Sequence, residues 1–488
     1  MKDVHDIPLD AHEKDRLMKQ CRIVLWAVCL LSIGCNKAAD GAASDTSDEN
    51  NRHSTSNAEV RFFTAQKSSG VNVVLVLVDT LRPDYLGFYG NDVEPAPFLG
   101  KMAAQSTVFE NAYSTSSWTA PSTASLFTSL YPPEHTVIQG FRAHRALIAK
   151  MEKDGNAEIE VNHMPKDVQT LPEMFKQAGY RTFGLAANIN IGDEIGFSRG
   201  FDRFEKDVKA PADTMYEKVK KWRKDIVGRT PFFLYLHFND AHTPYNKRYP
   251  YYHSVSDPRE DAAARYKSEI GYIDAYLEKI WQLPGISDNT VLMIVSDHGE
   301  EFWDHNDIEH GPTLYTELNR VLMMIHGPSL GIPSLRVSEN VSLVDVLPTL
   351  TEFVGENPQR DRAGLSLLPL FGNADDAERL RRTLRARSLY GHRMFSSIRN
   401  LAVWAITDGN HKLIDWWGDR RQLFNHESDP TEQHDIQEKA PQTAERLQTR
   451  LNTFKERMRH NQRTASSTEI PLDKALIDRL KTLGYVED

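Results

Sequence analysis

Three stretches of the chain are apolar at almost every position: Asn72–Val78 (NVVLVLV), Phe232–Phe238 (FFLYLHF) and Val291–Val295 (VLMIV). A strand that is apolar on both of its alternating faces is buried on both, as in the middle of a sheet covered by helices. Between these runs the apolar residues return at helical spacing. Tyr266, Ile270, Ile273, Leu277 and Ile280 form one stripe, stopped by Pro284-Gly285. Thr170-Leu171-Pro172-Glu173 has the spacing of a capping box, and Gly179 suits the end of the helix it opens. Alternating strand and helix patterns predict an α/β fold: a central mostly parallel sheet flanked by helices. From about Arg381 the pattern changes to shorter strand candidates, LAVWAI and HKLIDWW, then a polar helix from about Pro441 to Arg459. This predicts a smaller C-terminal α+β subdomain over 381–488, after a main domain over 70–380.

The start of the chain has a different texture. Ile23–Ile33 (IVLWAVCLLSI) is uncharged and follows Lys19 and Arg22. It falls short of the ~20 residues that span a bilayer but suits the apolar segment of a signal peptide. The run closes on Ser32-Ile33-Gly34-Cys35, which resembles a bacterial lipobox, where the Cys is lipidated and becomes the mature N-terminus. Residues 1–35 are therefore expected to be a signal peptide, read from Met1 or from Met18. Residues 36–69, rich in Ser, Ala, Asp and Asn, are expected to be a flexible tether. The protein is expected to be exported to the bacterial envelope or periplasm and held to the membrane by a lipid on Cys35. No cysteine follows Cys35, which excludes disulfides and thiolate sites from the main body. With 40% hydrophobic residues the chain can fill a core, and its net charge of -10 argues against a nucleic-acid partner.

The buried runs end in residues that carry chemistry. The first ends in Asp79, the second leads into Asn239-Asp240-Ala241-His242, and the third into Ser296-Asp297-His298-Gly299. Ligands of open α/β sheets bind beyond the carboxyl ends of the strands. Asp79, Asp297 and His298 can converge there on one divalent cation, though an Asp after a strand also suits the cap of a following helix. In Trp118-Thr119-Ala120-Pro121-Ser122-Thr123 a helix is expected to start near Thr119, placing its hydroxyl either as a plain cap or at the positive end of the helix, where an alkoxide is stabilised.

Together the segments resemble the sulfatase family of the alkaline phosphatase superfamily. The matching stretches are NVVLVLVDTLRPDYLGFYG (72–90), WTAPSTASLFTSLYPPEHTV (118–137), GYRTFGLAAN (179–188), GFSRGFDRF (196–204), HFNDAHTPY (237–245), VSDHGEEF (295–302), EHGPTLYTELNRV (309–321), VSLVDVLPTL (341–350) and LKTLGYV (480–486). The resemblance implies an alkaline phosphatase-like sandwich and a metal-dependent hydrolase of anionic esters, acting on a small or polymeric substrate such as a sulfated glycan or a phospho-ester. It implies Asp79, Thr119, Asp297 and His298 as metal ligands, Thr119 as nucleophile, His242 and His310 as catalytic histidines, and Arg82 and Asn188 as substrate contacts. Calcium is the family precedent; one imidazole and a hydroxyl also suit manganese, magnesium or zinc.

The chain departs from the family pattern at four places. Thr119 stands where the family has the Cys or Ser that becomes formylglycine, and oxidation of a Thr gives a ketone, so no formylglycine is expected. Thr123 replaces an Arg, Thr80 replaces the second Asp of a pair, and Ala186-Ala187-Asn188-Ile189 lacks a Lys and a His. These departures resemble superfamily members that attack with Thr itself. A phosphodiesterase, a phosphonate ester hydrolase or a phosphoglycol-type transferase is thus the alternative activity, and a catalytically degenerate envelope lipoprotein that only binds is the other alternative.

Overall fold

Alternate residues of the strand Asn72–Val78 enter two separate cores. Val73, Leu75 and Leu77 pack in one with Phe233, Tyr235 and the Leu126 and Phe127 side chains of the helix Thr119–Thr128. Val74, Val76 and Val78 pack in the other with Met215 and Trp222 of the helix Ala212–Ile226 and Tyr266, Ile270 and Leu277 of the helix Pro258–Trp281. Full burial of each such side chain contributes roughly 1.5–3 kcal/mol, which makes this strand the spine of the fold. The computed structural model describes residues 70–488 apart from 139, 142, 156, 229–230, 357–360, 397–400, 418–419, 462, 465, 483–485 and 488. The expectations for the signal peptide, Cys35 and the tether lie outside the described residues.

The central sheet has 8 strands in the order Leu335–Val337, Ser106–Phe109, Met323–His326, Thr290–Val295, Asn72–Val78, Phe232–Phe238, Arg181–Ala186 and Arg203–Lys206. Met323–His326 runs antiparallel to both of its neighbours, and the other pairings are parallel. The expected mostly parallel sheet flanked by helices is what forms. Local signals hold too. The helix Leu171–Gln177 opens with Thr170 and Glu173 in a capping box, Glu173 Oε2 accepting from Thr170 N at 2.8 Å. Gly179 follows with φ 86°, a backbone conformation that a Cβ disfavours. Asp257 caps the helix Pro258–Trp281 by accepting from two backbone amides. Among the described residues no helix is long and apolar enough to cross a membrane.

The C-terminal sheet is antiparallel, with Ser388–Ser396, Leu401–Asp408, His411–Trp416 and Arg420–Asn425 in sequence order. One face packs Val403, Ala405, Ile414 and Phe424 on Leu314 and Tyr315. The other face is covered by Ala444, Leu447 and Leu451 of the helix Pro441–Asn461. The last segment leaves this sheet for the main body: Ser466–Pro471 pairs antiparallel with Glu158–His163, and Leu472, Ile477 and Leu480 enter the first core.

His305 fastens the main body to the C-terminal sheet. Its ring stacks on Tyr315 at 3.7 Å, its Nδ1 meets Glu317 Oε1 at 2.8 Å, and its Nε2 meets the Glu432 carbonyl at 3.0 Å. Burial alone would lower its pKa, but the hydrogen bond and charge of Glu317, with Glu432 behind, raise it to about 9. A group whose folded pKa lies above its unfolded value contributes stability that is complete below the unfolded pKa. For His305 that contribution is full below about 6.5 and is lost as pH rises through about 9. Urea unfolding at pH 6, 7.5 and 9 should lose on the order of 2 kcal/mol more in the parent than in His305→Asn. Equal pH slopes for the two proteins would remove His305 as the cause.

Candidate active site

Strand register brings the chemistry to one level. Val78 pairs with Phe238 and Leu77 with Val295, so Asp79 leaves the sheet level with Asn239 on one side and Asp297 on the other. Thr80 then turns the chain with φ 59°, a costly conformation for a β-branched residue. It is held by Oγ1 donating to the Ala241 carbonyl (2.9 Å), by its carbonyl accepting from Tyr266 OH (2.8 Å), and by its N–H donating to Asp297 Oδ1 (3.3 Å).

Two fully buried carboxylates face one another across this turn. Asp79 Oδ2 accepts from Asn188 Nδ2 at 2.6 Å and meets His237 Nε2 at 3.1 Å. Asp297 Oδ1 accepts from the His298 amide at 3.0 Å as well as from Thr80. Their other oxygens, Asp79 Oδ1 and Asp297 Oδ2, are buried and have no hydrogen-bond partner among the described residues. His298 Nε2 lies 3.5 Å from each of them, and Thr119 Oγ1 lies 3.2 Å from the same nitrogen. Asp79, Thr119, Asp297 and His298 are thus brought together. Thr119 is completely buried at the first position of its helix, after Trp118 in extended conformation.

The protonation pattern asks for a cation. His298 Nδ1 faces the Gly299 carbonyl at 2.9 Å and must donate to it, so Nε2 presents a lone pair to the two bare carboxylate oxygens. Burial, and then the Asp79 charge, pushes Asp297 well above the usual carboxylate range. Burial acts on Asp79 in the same sense, but His237 and the neighbouring imidazoles hold it below that range. Burial and the charge of His310 lower His298 to about 3. Buried oxygen atoms and an imidazole lone pair turned on one point fit a divalent cation, which would replace the proton that burial favours on Asp297 and let both carboxylates ionise. Asp79, His237 and Asp297 also each bring a ligand atom within 4.8 Å of the others, so a buried Asp-His-Asp group can hold such an ion. His237 Nδ1 meets Tyr235 OH at 2.9 Å and its Nε2 meets Asp79 Oδ2 at 3.1 Å, so one tautomer orients Asp79 through Nε2–H and the other turns the Nε2 lone pair toward the ion.

Around this centre the His242 and His310 rings stand 4.7 Å apart, and His310 is 4.5 Å from His298. His242 Nδ1 meets the Thr243 carbonyl, and His310 Nδ1 meets Glu300 Oε1, both at 2.8 Å. Burial drives His310 down to about 4, lowers His242 with His310 beside it, and raises Glu300 to about 8. Trp118 closes one side, and the Arg393 guanidinium lies 5.0 Å above its ring.

Residues 71–356, more than half of the chain, match the Sulfatase family profile. The chain belongs to the sulfatase family. It is 25% identical to human N-acetylgalactosamine-6-sulfatase over 398 residues, 71% of each chain. It is 22% identical to the ulvan-active sulfatase of Formosa agariphila over 374 residues, 72% of this chain and 66% of that one. In structure it is similar to the phosphonate monoester hydrolase of Agrobacterium radiobacter, with a TM-score of 0.64 and 17% identity, covering 80% of this chain and 96% of that one. It is therefore a sulfatase-family hydrolase of anionic esters, with a buried group suited to the divalent metal of that family.

Two residues expected to contact substrate are engaged within the protein on this sulfatase-family scaffold. Arg82 has all of its N–H donors engaged: Nε and Nη2 on Asp84, Nη1 and Nη2 on Asp304, and Nη1 also on the Glu300 carbonyl. It is a buried ion-pair residue with no donor left for a substrate. Asn188 uses both amide hydrogens on Asp79 Oδ2 and Asn239 Oδ1 (2.8 Å), so it orients a carboxylate. His237, Glu300 and Arg393 were not anticipated. His237 carried one signal, a lone polar residue on an otherwise apolar strand, one place from its end.

The facing carboxylates predict an inverted trade between stability and function. Asp297→Asn places an amide hydrogen toward Asp79 Oδ1 and removes the repulsion. In chelator-treated protein it should add on the order of 1 kcal/mol of stability, read as a higher midpoint of thermal unfolding, while binding of added Mn²⁺ or Ca²⁺ measured by calorimetry is lost. A variant no more stable than the metal-free parent would contradict the reading of this pair.

Proposed function

We propose that this hydrolase uses the Thr119 hydroxyl itself as nucleophile and that Asp79, Asp297 and His298, with Thr119, hold the cation. The observation that carries the reading is the 3.2 Å approach of Thr119 Oγ1 to His298 Nε2 at a helix start, beside two buried carboxylate oxygens that lack partners. A bound divalent cation supplies charge to stabilise the Thr119 alkoxide and the substrate oxygens. Thr119 Oγ1 attacks the sulfur or phosphorus of the ester, the bond to the leaving oxygen breaks, and the proton passes to the leaving alcohol. Neutral His242 and His310 suit hydrogen bonding to the oxyanion and that proton transfer. Water then attacks the Thr119 ester, restoring the hydroxyl and releasing the inorganic anion. The donor set, rich in oxygen with one imidazole, fits manganese or zinc as well as the family's calcium.

The second reading is a phosphorus ester as substrate, and Thr119 favours it. A Thr ester is released only by attack on its central atom, since the hydrate of an aldehyde, which expels sulfate by breaking the carbon–oxygen bond, is closed to Thr. Water attacking at phosphorus expels the Thr119 oxygen and closes the cycle with the hydroxyl restored. We also propose that Cys35 is lipidated and that residues 36–69 tether the enzyme to a bacterial envelope membrane, supported by the apolar run Ile23–Ile33 that precedes it.

Chromogenic sulfate, phosphate monoester, phosphodiester and phosphonate substrates, each with Mn²⁺, Ca²⁺ or Zn²⁺, should reveal at least one class that is hydrolysed. Thr119→Val should lower its turnover by ~10³-fold or more with the fold retained, whereas Thr119→Ser should keep part of it. Undiminished turnover in Thr119→Val would reduce Thr119 to a cap. For the anchor, a fatty-acid probe should label the parent and not Cys35→Ala in a bacterial host; equal labelling would refute lipidation at this residue.

A further inference from the structure

A cavity of about 880 Å³ opens between the C-terminal sheet, the helix Pro441–Asn461 and the turn after the helix Pro132–His135. Asp79, Thr119, His242, Asp297, His298 and His310 are absent from its walls. The strand Ser388–Ser396 divides cavity from catalytic cluster. His392 and Met394 face the cavity, while Arg393 between them donates from Nε to the Gly311 carbonyl at 2.6 Å and covers Trp118.

The walls combine three chemistries. Arg420, Arg421, Lys455 and Arg459 stand against a single carboxylate, Asp415. Lys455 pairs with Asp415 at 2.6 Å and Arg421 with Glu445 at 3.2 Å, whereas no ion-pair partner for Arg420 or Arg459 is found among the described residues. The excess charge is positive, and the cavity is of the size that holds a ring-sized ligand. Trp404 and Trp417 add half-buried indoles, and Gln448 and Asn452 add amides. His392 is 3% exposed, packs at 4.3 Å against Trp404, and its Nε2 has no hydrogen-bond partner among the described residues. A buried polar atom in a cavity wall is a ready partner for a bound molecule.

We propose that this cavity binds an anionic sugar ring, a sulfated or carboxylated unit of an oligosaccharide, at a site separate from that of hydrolysis. An inorganic anion makes no use of indole walls, and a flat aromatic acid makes no use of the amides and the imidazole. Gln448 Nε2 donates to Asp415 Oδ2 and to Asn452 Oδ1, both at 3.1 Å, which turns the Gln448 oxygen and the Asn452 N–H groups to a ligand. A charged pyranose uses all of these groups: its C–H face lies on the indoles, its hydroxyls reach the Gln448 oxygen, the Asn452 amide and His392, and its charge meets Arg420 and Arg459. Burial and the charge of Arg393 hold His392 neutral, lowering it to about 3, so its hydrogen bond to a hydroxyl brings no charge of its own. None of these groups reacts, so the site stands whether or not Thr119 is the nucleophile.

Calorimetric titration of the full chain with hexasaccharides of heparin, chondroitin sulfate, ι-carrageenan and alginate, beside cellohexaose and sodium sulfate, tests this directly. At least one anionic hexasaccharide should bind, more weakly at higher salt. The double variant Arg420→Gln/Arg459→Gln and the single variant Trp417→Ala should each weaken it by about tenfold or more, with circular dichroism unchanged. The arginine pair sits at accessible positions and reports even if Trp417→Ala does not fold. The inference is overturned if no anionic hexasaccharide binds, or if binding is unchanged in the variants, which would put the sugar elsewhere, including the catalytic cluster. It is equally overturned if sodium sulfate competes fully and folded Trp417→Ala keeps the parent affinity, which would leave an anion site without a sugar subsite.

Discussion

Two carboxylates confined in one buried place set the terms for everything around them. Asp79 and Asp297 offer oxygens within 4.8 Å of each other with no access to water. At an effective dielectric of about 20, two unit charges at that range repel by roughly 3–4 kcal/mol. The protein answers on one side only. Asn188, His237, Thr80 and the His298 amide saturate the outer oxygens, and the inner oxygens are left bare. Full internal satisfaction would have given a quiet core; half satisfaction leaves an electrostatic demand that a cation meets.

The sheet makes that arrangement affordable in structural terms. Because Asn72–Val78 and its neighbours are buried on both faces, their ends cannot shift singly without opening two cores. The carboxylates therefore stay opposed in the absence of any ion. The histidines extend the same logic outward: His242, His298 and His310 crowd together as neutral rings because burial opposes their protonation.

Most of this frame was legible in the sequence, since it rests on local signals. Apolar runs located the central strands, the residues after them located the carboxylates, and small residues with Pro121 located the helix start at Thr119. What stayed illegible depends on contacts distant in the chain. Arg82 resembled an anion ligand until Asp304, 222 residues away, took its guanidinium. Asn188 resembled a substrate contact and His237 drew no notice, because their partner, Asp79, follows another strand. The return of Ser466–Pro471 to the main body carries no signal, for an exposed strand paired in a two-stranded sheet has neither alternation nor a cap to announce it. The cavity behind Ser388–Ser396 likewise arises only when a sheet, a helix and a turn from three regions meet.

Thr80 has a further consequence, and it is one of rate. Its N–H, carbonyl and hydroxyl tie together Asp297, Tyr266 and Ala241, so three strand ends and a long helix are cross-linked through a single strained residue. Fraying of one loop cannot expose the carboxylates; all the ties must loosen together. An ion seated between Asp79 and Asp297 would then be exchanged slowly, on the clock of a concerted opening rather than of loop motion. The same knot would hold the apo site in its bound shape, so that capture of a cation needs little rearrangement and its selectivity is set by the size of a gap that does not relax.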